Sequence, residues 1–115
     1  MEVTDELKAS ILKQPFFRGK IVSGSMIPVI QIGEEIVVEV KATELKRFDI
    51  IVFVQHEKLI CHFLWTMNRV VEPKLMQTRS MIGGRDIPIS EDDYIGKVVS
   101  HRLNWWHKLK IILTR

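Results

Sequence analysis

The chain has 115 residues, 46% of them hydrophobic, with 17 Lys and Arg against 14 Asp and Glu for a formal net charge of +3. That length builds one hydrophobic core and excludes a two-domain organisation, so a single domain over residues 1–115 is expected, with its core over about 20–101. The single cysteine, Cys61, excludes an internal disulfide; no apolar run approaches the ~18–20 residues of a membrane span or a secretory leader, which points to a cytoplasmic protein or one peripheral to a membrane.

Thr4 is suited to cap a helix whose first turn carries Asp5 and Glu6. Val3, Leu7 and Ile11 share a face before Pro15 ends the pattern, so a short amphipathic helix is predicted over about 5–13. Phe16 and Phe17, beside Arg18 and Lys20, are expected to pack on the body of the protein, with contact to a membrane surface as the alternative. From Lys20 the chain reads as short β-rich runs broken by turn residues: Lys20–Ser23, Glu35–Val40, Ile50–Gln55, Lys58–Thr66, Leu75–Arg79 and Tyr94–His101. The run Ile50–Gln55 is apolar almost throughout and should be buried on both faces, and Gln55 to Lys58 reads as a hairpin turn. The expected fold class is therefore all-β, mainly antiparallel, with short helices only at the chain ends.

The densest stretch is Ile21-Val-Ser-Gly-Ser-Met-Ile-Pro28. An apolar β-branched pair runs into Ser23, Gly24 and Ser25, and Pro28 stiffens the exit after Met26. A serine on such a corner can meet a carbonyl carbon while adjacent amides stabilise the oxyanion, although a Ser-Gly-Ser turn by itself is common.

Ser23-Gly-Ser-Met-Ile-Pro28 resembles the nucleophile box of the type I signal peptidase superfamily, which includes the self-cleaving SOS repressors. The similarity extends over roughly Lys20 to Ser100. Ile32-Gly33-Glu34 before Ile36-Val-Val38 resembles the family's Gly-Asp turn and next strand, and Leu45 to Phe53 its Gly-Asp-Ile-Val-Phe segment. Leu59-Ile-Cys-His62 resembles the second catalytic box of the histidine-type, endoplasmic-reticulum and archaeal-like enzymes, and Gly96-Lys-Val98 the closing strand.

The resemblance implies a coiled antiparallel β-fold, Ser25 as nucleophile and His62 as general base, with Ser23, Gly24, Met26 and Pro28 around the oxyanion and substrate. An imidazole with a pKa near ~6.5 takes a serine proton without further tuning. Taken alone, a histidine in an apolar strand is otherwise a core residue. The orienting carboxylate falls to Asp86, because Thr78-Arg-Ser-Met-Ile82 stands where the family carries Thr-Lys-Gly-Asp-Asn; a solvated loop aspartate is the competing role. Phe48 replaces a family glycine and Phe63 a family arginine, both expected to enlarge the apolar surface near the site.

No cofactor or metal is implied: Cys61 and His62 are adjacent on a strand and point to opposite faces. The expected partner is an extended peptide or protein substrate, cleaved or, in the alternative, only bound by an inactive assembly module. A self-cleaving repressor is disfavoured, since no Ala-Gly or Cys-Gly pair precedes Ser25 and no DNA-binding segment is present; nucleic acid is not expected. The segment 103–115 is ambiguous between helix and strand. As a helix it gathers Trp105, Trp106, Leu109, Ile112 and Leu113 on one face, which suits docking on the protein's own sheet or peripheral contact with a membrane.

Overall fold

The computed structural model describes residues 4–20, 26, 27, 29–68, 75–79, 81 and 88–113. The Thr4 hydroxyl accepts the Leu7 amide at 3.1 Å and caps α1 (Asp5–Leu12). Lys13 ends the helix, since Pro15 two residues later cannot continue it. Ile11 is buried, Leu7 and Leu12 pack beside it, and Val3 lies outside the described residues.

After Pro15 the chain enters β1 (Phe16–Lys20), followed by β2 (Glu35–Val40), β3 (Ile50–Gln55), β4 (Lys58–Asn68), β5 (Leu75–Arg79), β6 (Ile89–Ser90) and β7 (Tyr94–Val98). A single 3-10 turn, Glu91–Asp93, precedes β7, and α2 (Trp105–Leu113) follows it. All strands join one antiparallel sheet in the order β1-β2-β7-β3-β4-β5-β6. The fold is thus all-β with short terminal helices, and no helix among the described residues is long and apolar enough to cross a membrane.

The first strand begins earlier than expected, at Phe16. Lys20 is the last residue of β1 rather than the first, and residues 21–23 of the expected run lie outside the described residues. Phe16 and Phe17 are strand residues, registered opposite Glu39 and Val38; Phe17 joins the core, whereas Phe16 stays exposed. Alternation explains both positions, because adjacent strand residues face opposite ways. The final run is shorter than expected, ending at Val98, where Ser100 closes it by accepting the Val37 amide at 2.9 Å.

The sheet separates two apolar clusters. On one face Ile36, Val38, Ile50, Val52, Phe63, Ile95 and Val98 are covered by Ile11, Met26, Ile30, Leu103 and Ile111. On the other, Ile51, Phe53, Leu64, Met76, Ile89 and Tyr94 are covered by Leu45. β3 supplies both clusters alternately, which is why its sequence is apolar at successive positions. A bulge on β7 serves the same end: Val52 is opposite Gly96 but Phe53 is opposite Tyr94, so Tyr94 reaches the second cluster while Ile95 stays in the first.

Two close-fitting details fix register. The β3–β4 turn consists of His56 and Glu57, with φ of 52° and 62°, between the paired Gln55 and Lys58. Both residues are left-handed, as a two-residue hairpin turn with the strands' own twist requires. At Gly96 a Cβ would lie 2.3 Å from the Glu39 carbonyl oxygen and 2.7 Å from Val38 Cγ1, so only glycine lets β2 and β7 approach this closely.

Candidate active site

His62 sits on β4 opposite Ile51 of β3. Its neighbours Cys61 and Phe63 both belong to the first cluster, so its imidazole projects to the other face, where its ring stands edge-on to Phe53 at 6.1 Å between centroids. The side chain is half-buried. The same cross-strand row continues through Ile51 to Lys97 and Glu39, and Lys97 Nζ lies 3.5 Å from Asp49 Oδ2.

Met26 is held differently. It is buried in the first cluster, and its carbonyl accepts the Ile30 amide at 2.9 Å. Ser23, Gly24, Ser25, Pro28 and Asp86 lie outside the described residues. Of the two described members of the expected site, Met26 therefore packs over one face of the sheet and His62 projects from the other.

The residues flanking His62 depart from expectation in an instructive way. Phe63 does not enlarge the apolar surface beside the imidazole; it is buried on the opposite face, 6.0 Å from the Phe48 ring. Phe48 in turn packs edge-on to Trp65 at 5.9 Å, and Arg47 stacks its guanidinium 3.6 Å from the Trp65 ring centroid. The φ of Phe48 is 77°, a left-handed value that glycine adopts at the least cost. Burial pushes the Cys61 thiol up to about 12, so Cys61 is a protonated, unreactive group. Among the described residues no group of three or more His, Cys, Asp or Glu side chains could hold a metal ion.

A second serine–histidine pair was not legible in the sequence. Ser100 Oγ lies 2.8 Å from His101 Nδ1, and His101 Nε2 lies 2.7 Å from Glu34 Oε2. The hydrogen bond from His101, then that from the Gln31 amide, holds the Glu34 carboxyl below the usual range. Because Ser100 also accepts the Val37 amide, the chain Ser100–His101–Glu34 ties the exit of β7 to the turn before β2. Its members are 66 and 67 positions apart from Glu34, with no periodicity or motif to join them.

No family model matches the chain, and no curated protein is significantly similar to it.

Proposed function

We propose that the chain is a serine endopeptidase of the signal-peptidase type, with Ser25 as nucleophile and His62 as general base on an extended peptide. The observation that carries this reading is the combination of the Ser23-Gly-Ser-Met-Ile-Pro28 box with a half-buried histidine held on β4 by its pairing to β3. In the proposed reaction the Ser25 oxygen attacks the scissile carbonyl and its proton passes to His62. Backbone amide and the Ser23 hydroxyl stabilise the oxyanion, and the imidazolium then protonates the leaving amine. Water hydrolyses the acyl-enzyme with His62 acting as base again. Asp86 is assigned the orienting role.

The reading requires the Ser25 hydroxyl to meet an imidazole on the face of the sheet opposite the Met26 side chain. That requirement, with the loss of the Gly-Asp-Asn segment, favours a second reading: a module that binds peptide as an added strand and does not cleave it. A serine-reactive acylating probe with peptide mapping separates the two. Labelling of Ser25, lost in Ser25→Ala and strongly reduced in His62→Ala, is expected for the peptidase. Absence of labelling at Ser25 under native conditions favours the binding module, and labelling at Ser100 alone would move the chemistry to the Glu34 side of the sheet.

A further inference from the structure

Asn104 starts α2 as a reciprocal cap: its Oδ1 accepts the His107 amide at 2.9 Å, while its own amide donates to His107 Nδ1 at 3.4 Å. The cap settles the helix and its rotation. Ile111 points into the first cluster and His107 is half-buried beside it. At about 100° per residue, the opposite side of the helix runs in order through Ile112, Trp105, Leu109, Leu113 and Trp106, an uninterrupted apolar arc of about 120°.

The arc faces outward. Trp105 is 63% exposed, Trp106 69%, Ile112 51% and Leu113 73%, with Leu109 half-buried between them. The expectation that this face docks on the protein's own sheet is therefore overturned: Ile111 does that, and the tryptophans stack edge-on against each other instead, 4.4 Å apart. Lys108 borders the arc on one side, its Nζ 5.8 Å from the Phe48 ring centroid, and Lys110 borders it on the other, both side chains exposed.

We propose that α2 docks the protein on an anionic lipid bilayer, with the apolar arc entering the boundary between headgroups and acyl chains. Lys108 and Lys110 then meet the lipid phosphates. The occupant follows from the order of groups around the helix, apolar in the middle and cationic at both edges, with indole rings that suit the wet–dry border. A nucleic-acid backbone would need a continuous cationic track where the arc places five apolar side chains. A second copy would bring like-charged lysines to the same seam, whereas lipid phosphates neutralise both edges of the arc. This inference is independent of the peptidase reading.

The test is sedimentation of the full chain with vesicles of phosphatidylcholine alone or with about 30% phosphatidylglycerol, at low and physiological salt, read also by tryptophan emission. Binding to the anionic vesicles should exceed binding to the neutral ones by about tenfold or more, and should weaken with salt. Lys108→Glu with Lys110→Glu should remove that preference, at about fivefold or more per lysine. Trp105→Ala with Trp106→Ala should lower partitioning by at least about tenfold with the circular dichroism unchanged. The control pair Lys13→Glu and Lys20→Glu, exposed residues outside α2, should change binding less than about twofold. No binding to anionic vesicles, or binding indifferent to both α2 pairs, overturns the proposal. A vesicle-free dimer abolished by the tryptophan variant would assign the face to a second copy and overturn it equally.

Discussion

Gly96→Ala is the substitution with the most sharply defined cost. The added methyl would sit 2.3 Å from the Glu39 carbonyl oxygen and 3.0 Å from its carbon, both backbone, with Val38 Cγ1 at 2.7 Å. Backbone cannot swing away as a side-chain tip can. Relief must come from separating β2 and β7, which are joined at the pairs Val38–Val98, Glu39–Lys97 and Val40–Gly96 and by the bonds Lys41 N–H to Ile95 O and Val99 N–H to Val37 O. Overpacking costs about 1–3 kcal/mol in general, and a backbone obstacle belongs at the top of that range. A loss of about 3 kcal/mol is expected, a large part of a total stability of about 5–15 kcal/mol. At about 4 °C per kcal/mol for a chain of this size, the melting temperature should fall by roughly 12 °C. Urea titration followed by circular dichroism measures the free-energy loss, and a thermal melt the fall in melting temperature. Gly19→Ala is the internal control, because its Cβ meets only the movable Phe17 ring at 3.2 Å on the edge strand; it should cost under about 1 kcal/mol. A Gly96→Ala protein within about 0.5 kcal/mol of the parent would refute the β2–β7 packing and its register.

Replacing the left-handed turn residues, His56→Asn with Glu57→Gly, should stabilise the fold by about 1 kcal/mol, since each side chain now occupies a conformation that disfavours it; a destabilisation in the same titration would contradict the hairpin geometry. Burial raises the Cys61 thiol to about 12, and burial followed by the charges of Glu39 and Asp49 raises the Tyr94 phenol. Both groups are held protonated in the fold, so their contribution is fully present below the unfolded pKa values, near ~8.5 and ~10, and is lost as pH rises toward the folded ones. Stability should therefore decline on the alkaline side, with Cys61→Ala flattening the earlier part of the decline and Tyr94→Phe the later, as read from urea midpoints at successive pH values.

Strand positions were legible wherever burial alternates or runs continuously. β2, β3 and β5 have the bounds that their β-branched and apolar patterns predict, and the turn at His56–Glu57 stands where hydrophobicity lapses. The start of β1 was not legible because two phenylalanines flanked by Pro15 and Arg18 carry no visible alternation. β6, two residues long, offers no pattern at all. The order of strands is set by pairings between distant segments, which no local window contains. The helix of α2 had a signal in Asn104, but its outward rotation depends on where Ile111 finds room. For the site, the strand of His62 could be read and the face it takes could not, because that face follows from the registers of β3 and β4 together.

The sheet order has a consequence for how the chain must fold. β7 lies between β2 and β3, so β1–β2 and the group β3 to β6 are not paired with each other. Each half can zip early through neighbouring segments, the β3–β4 hairpin first because its closure is shortest. The halves become one structure only when Tyr94–Val98 inserts between them, with loop closures of some 50 residues between β2 and β7. Folding should be slow for a protein of this length, and the edges of β2 and β3 remain open to wrong partners until the last strand arrives.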